Sequence, residues 1–92
     1  MSFNKDSAIE RAKQDLAQRL GISGNGITGS ASEKDFSDMS LGAPVGDEMS
    51  GQMISSGWQI KLSAGGKSYD YRADKYQLRL KDFEGSNHII VS

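Results

Sequence analysis

A chain of 92 residues, 36% hydrophobic and 25% charged, has the length of one domain with a core of limited size. Its formal net charge is −1, spread without a basic cluster, which argues against a nucleic-acid footprint; the absence of cysteine excludes disulfides, thiolate zinc sites and cysteine nucleophiles. No run approaches the apolar length of a membrane span. The opening Met-Ser-Phe-Asn-Lys-Asp lacks the apolar stretch of a signal peptide, so the expected compartment is the cytoplasm as written, or outside the cell if a leader precedes this sequence.

The first element is a helix over about 7–20. Ser7-Ala8-Ile9-Glu10 has the spacing of a capping box, with Ser7 as N-cap. Ile9, Ala12, Leu16 and Leu20 recur at helical spacing as one apolar stripe, with Ala17 beside it. Arg11, Asp15, Gln18 and Arg19 fall on the opposite face, and Asp15 stands four residues before Arg19 in the favourable order. Gly21 can take the left-handed conformation that ends a helix, with Ile22 placed for a hydrophobic contact. Gly21, Gly24, Gly26 and Gly29 resemble a phosphate loop in composition only. They follow a helix C-terminus, whereas phosphate loops precede a helix N-terminus.

A weak strand is expected around 27–33. Gly29, Ser30 and Ser32 dilute its pattern, which suits an edge or a frayed segment. A long loop then runs over 38–57. Its side chains Met39, Leu41, Pro44, Met49 and Met53 are apolar enough either to pack locally or to meet a partner.

The hairpin over 58–72 is the clearest signal. Trp58, Ile60 and Leu62 alternate with polar residues, as do Tyr69 and Tyr71, and Gly65-Gly66 between them suits a two-residue turn. That turn predicts the pairs Leu62–Tyr69, Ile60–Tyr71 and Trp58–Ala73, which gather every large apolar residue on one face. Tyr76, Leu78 and Leu80 predict a third strand over about 76–81. Glu84-Gly85-Ser86-Asn87 reads as a turn and 88–91 as a final strand. The fold class is therefore α+β: one N-terminal amphipathic helix packed on an antiparallel sheet of three to five strands. Its expected core is Ile9, Leu16, Leu20, Trp58, Ile60, Leu62, Tyr69, Tyr71, Leu78 and Leu80.

Chemistry is hard to find. His88 is the single histidine, and no nucleophile elbow accompanies it. Asp35, Asp38, Asp47 and Glu48 lack the spacing of a calcium loop and read as solvated carboxylates. Trp58, Tyr69, Tyr71 and Tyr76 could form a stacking platform, but no basic groove accompanies them and the hairpin register needs the first three for the core. No catalytic, cofactor-binding or metal-binding set emerges.

Three further stretches act together. Phe36-Ser37-Asp38-Met39-Ser40-Leu41-Gly42-Ala43-Pro44, Gly57-Trp58-Gln59-Ile60-Lys61-Leu62 and Gly65-Gly66-Lys67-Ser68-Tyr69-Asp70-Tyr71-Arg72-Ala73-Asp74 resemble a recurring bacterial domain of unassigned function, often found in predicted secreted proteins and lipoproteins. The helix end Gln18-Arg19-Leu20-Gly21-Ile22 fits the same pattern. Ala43 stands where that pattern has Cys, and the C-terminal strand has none either. Any disulfide the family makes there is lost at both ends, which a reducing compartment tolerates. Arg72 replaces the usual His. The resemblance implies the fold and the importance of residues 40–44; it implies no activity.

Three functions follow as expectations. The first is a non-enzymatic binding or regulatory module, monomeric, engaging a protein partner through loop 38–57, with no cofactor, nucleic acid or membrane. The alternative is a protease-inhibitor-like domain presenting residues 41–45. The third is a small enzyme built on carboxylates or tyrosines.

Overall fold

Residues 2–49 and 51–92 are described in a computed structural model. Helix α1 spans Lys5–Leu20 and is followed by a 3-10 turn at Gly24–Gly26. Five strands come next: β1 Thr28–Phe36, β2 Ser55–Ala64, β3 Lys67–Ala73, β4 Leu78–Phe83 and β5 Ser86–Val91. They form one antiparallel sheet in chain order β1-β2-β3-β4-β5, a meander with β1 and β5 at its edges.

The helix begins one turn earlier than its sequence spacing predicts. Asn4 is the N-cap: its Oδ1 accepts from the Ser7 amide at 2.8 Å, while Ser7 Oγ accepts from the Asn4 amide at 2.9 Å. Ser7 therefore closes the capping box rather than opening it, because Asn is as good a cap as Ser. The helix stops where expected, at Gly21 with φ 66 and ψ 35, and both Gly21 and Ile22 donate to the Ala17 carbonyl. Ile22 itself remains exposed.

The buried helical positions are Ala8, Ala12, Asp15 and Leu16. The stripe is thus rotated toward Asp15, with Ile9 and Leu20 only partly buried. Small alanines let the helix lie close on the sheet. Beneath it are Ile60, Leu62, Tyr71, Ala73, Leu78 and Leu80, with Trp58 and Tyr69 at the margin.

The hairpin register is as predicted: Leu62 faces Tyr69, Ile60 faces Tyr71 and Trp58 faces Ala73, around Gly65 (φ 58) and Gly66 (φ 80). The β4 boundary differs. Asp74 Oδ1 accepts from the amides of Tyr76 and Gln77 at 2.8 and 2.9 Å, which makes 74–77 a turn. Tyr76 is consequently outside the ladder and exposed. The last turn is also shorter than predicted. Glu84 and Gly85 both have positive φ, and Phe83 pairs with Ser86, so Ser86 and Asn87 belong to the strand.

β1 lies at an edge, as its sequence implied, but runs on to Phe36, which pairs with Ser55. The long loop therefore covers 37–54 rather than 38–57; its Ser50 lies outside the described residues. No helix among the described residues is long and apolar enough to cross a membrane.

Candidate functional site

The face of the sheet away from the helix carries Gln59, Asp70, Arg72 and Arg79, and the first half of loop 37–54 folds across it. Asp38 starts this half. Its Oδ1 accepts from the amides of Ser40 at 3.1 Å and Gly42 at 2.9 Å, an Asx-type turn that lets a short carboxylate replace backbone partners. The tightness of this turn puts Leu41 at φ 58 and Gly42 at φ 69. Leu41 is strained there, and complete burial of its side chain offsets the cost: Leu41 and Ala43 are both at 0% exposure. A Cβ on Gly42 would run into the Arg72 guanidinium.

Side chains from the β3–β5 half of the sheet hold the loop by its carbonyls. Gln77 Nε2 donates to Met39 O at 2.7 Å, Arg72 Nη1 to Leu41 O at 2.9 Å, Arg79 Nη1 to Ala43 O at 3.1 Å and Asn87 Nδ2 to Pro44 O at 2.9 Å. These contacts solve the problem of laying irregular backbone against a sheet, where unpaired carbonyls would be costly. Arg72 is oriented by Asp70 and lies over the Phe36 ring, 5.7 Å from its centroid. Arg79, buried inside β4, also grips Glu48 with two bonds of 2.5 and 2.7 Å. That fork-on-carboxylate contact holds the Glu48 carboxyl down to about 2 from an ordinary 4.5, mainly through the Arg79 hydrogen bond and against the opposing cost of burial. Among the described residues every buried side-chain nitrogen and oxygen has a hydrogen-bond partner.

The second half of the loop is different. Met49, Met53 and Ile54 are 96%, 67% and 73% exposed. Met39, 48% exposed, and Tyr76, 71% exposed, flank a shallow groove with Ser55, Ser56, Asp74 and Lys75. The Met39 amide donates to Gly51 O at 3.0 Å, which ties the two halves of the loop together beside this groove. The five loop residues singled out from sequence therefore separate. Leu41 is buried beneath the loop, Pro44 is exposed and held through its carbonyl to Asn87, and Met39, Met49 and Met53 are open to solvent.

Other candidates have structural roles. Asp35 accepts from Ser56 Oγ at 2.8 Å, Asp38 shapes the turn and Glu48 pairs with Arg79, so these carboxylates are engaged rather than merely solvated. His88 lies edge-on to Phe83 with ring centroids 5.9 Å apart. Residues 41–45 do not protrude as an extended segment, because the carbonyls of Leu41, Ala43 and Pro44 are bonded to side chains of the sheet and the side chains of Leu41 and Ala43 are buried. Among the described residues no three metal-ligating side chains come together.

Sequence reasoning missed Arg79, Gln77 and Asn87 as the clasp on the loop. Each sits at a polar position of an alternating strand or turn, and nothing local distinguishes it from a solvated side chain.

The model of one family, a domain of unknown function (DUF8738), matches residues 9–80, and the chain belongs to that family. No curated protein and no solved structure matches it. The matched span includes the helix from Ile9 onward, the Asp38 turn and Arg79; the end of β4 and all of β5, with Asn87, lie beyond it.

Proposed function

We propose that this family member is a non-enzymatic module that binds a protein partner through the groove beside Met39 and Tyr76, together with the chain at 51–54. The observation that supports this reading is the contrast within one loop. Residues 38–48 are fixed to the sheet by four side chains acting on backbone carbonyls. The adjoining stretch leaves Met53 and Ile54 largely exposed next to Tyr76. A rigid frame carrying flexible, polarizable methionine side chains suits recognition of an apolar partner segment. Asp74 and Lys75 at the rim of the groove supply the polar boundary typical of such surfaces. The inhibitor-like reading has no comparable support, since Leu41 and Ala43 are buried and the stretch that carries them is held to the sheet through its carbonyls.

The test is an amide NMR titration of labelled protein against fractionated lysate and then against the purified partner. Signals from 51–56 and 74–77 are expected to shift or broaden while those of α1 stay put, and a Met53→Ser/Ile54→Ser double variant should abolish the change. Sharp, unshifted signals for 51–56 in every fraction would end this reading.

A further inference from the structure

The two edges of the sheet are built differently. β5 has six residues and its pairing with β4 is interrupted by two register irregularities, features that discourage a further strand. β1 has nine residues in unbroken register with β2, and nearly all of them are exposed. Its open side carries the unpaired amides and carbonyls of alternate residues, with no proline and no bulge to block them. The side-chain pattern along β1 is also asymmetric. Thr28-Gly29-Ser30-Ala31-Ser32 is small and uncharged, whereas Glu33-Lys34-Asp35-Phe36 is large and mostly charged.

We propose that β1 is a self-association edge, on which a second copy of this chain pairs antiparallel about a two-fold axis at Ser32. Ser32 is the central residue of Thr28–Phe36, so this register uses the whole strand. It places Thr28 opposite Phe36, Gly29 opposite Asp35, Ser30 opposite Lys34 and Ala31 opposite Glu33. Every large residue then meets a small one, and no two like charges face each other. Centring the axis on Lys34 or Glu33 would instead stack a charge on its own copy. The result is one continuous ten-stranded sheet across the pair, made chiefly by main-chain hydrogen bonds. A modest, concentration-dependent dimer replaces the monomer expected from sequence. This surface shares no residue with the groove at Met39 and Tyr76, whose Ser55 and Ser56 pair with Phe36 and Asp35 on the inner side of β1.

Sedimentation of the 92-residue chain at concentrations up to about 1 mM tests the proposal, with charge placed at two positions. Ser32→Lys and Ser32→Glu each set like charges across the axis and should both weaken the dimer. At position 30 the sign matters, because the opposing residue is Lys34. Ser30→Lys should weaken association about tenfold, and Ser30→Glu should tighten it by a similar factor. Circular dichroism checks the fold of each variant; if Ser30→Lys does not fold, Ser30→Glu carries the sign test alone. Met53→Ser/Ile54→Ser should leave the dimer unchanged, which separates this contact from partner binding. A chain that stays monomeric throughout the range overturns the proposal. So does a dimer indifferent to charge at 30 and 32, or one that responds to both charges at 30 in the same direction.

Discussion

Asp15 is the residue whose surroundings depart furthest from its sequence context. It is buried on α1, and one carboxylate oxygen, Oδ2, accepts from Tyr71 Oη at 2.8 Å and from Arg19 Nε at 2.7 Å. Burial, and next the same contact, push the Tyr71 hydroxyl well above its ordinary value, in keeping with its role as the donor to Asp15. The pair fastens the helix to the middle of the sheet at a defined height. Tyr71→Phe removes one bond but leaves Asp15 with Arg19, and should cost about 1 kcal/mol. Asp15→Ala leaves a buried hydroxyl with no acceptor and should cost about 1–3 kcal/mol. Urea unfolding of both variants and of the double checks this, and the two losses should not add. Helical periodicity assigned Asp15 to the polar face because it is a carboxylate four residues before Arg19. Its decisive partner lies 56 residues away, and no local pattern encodes that distance.

At the scale of elements, the loop half over 38–48 behaves as a third layer in place of a second helix. Its anchor on β4 is ionic. Glu48 is a carboxyl whose folded value, about 2, lies below its unfolded value near 4.5. A depressed carboxyl contributes stability that is fully present above about 4.5 and is lost as pH falls toward 2. Glu48→Gln should therefore be less stable than the parent at neutral pH, and the difference should shrink as pH falls through that window. Urea midpoints measured across it check the sign; a difference that grows on acidification would contradict the assignment. Elements with their own turn chemistry were legible beforehand. Gly65-Gly66 fixed the hairpin, and the alternation on both sides of it fixed the buried face. The boundary at Tyr76 was not, because the capping role of Asp74 competes with an alternation that reads as strand. Nor was the route of the loop, since Asp38, Arg72 and Arg79 each look like ordinary polar surface until the sheet brings them together.

Across the whole molecule, sheet order follows chain order, so each strand pairs only with its sequence neighbours. The radius of gyration, 12.5 Å, is close to the roughly 12 Å expected for a compact chain of this length. Stability is nonetheless graded. β2 and β3 are paired on both sides and buried beneath the helix, while β1 and β5 are paired on one side only. Hydrogen exchange at low protein concentration should accordingly be slowest at Ile60, Leu62 and Tyr71, and faster by orders of magnitude at Ser30 and Ile89. Equal protection of edge and centre would mean that the sheet opens only as a unit. The division of the long loop has one more consequence. The Arg79–Glu48 clasp closes its first half, and the Phe36–Ser55 pair closes the sheet beyond its second. Between those two fixed points the chain is tied by the bond from the Met39 amide to Gly51 O, and on either side of that bond it can change length at little thermodynamic penalty, since doubling a flexible closure costs only about 0.6 kcal/mol. Insertions should thus be accepted between Glu48 and Ser55 and rejected between Asp38 and Pro44, making the former a natural graft point where new binding segments could be acquired without rebuilding the domain.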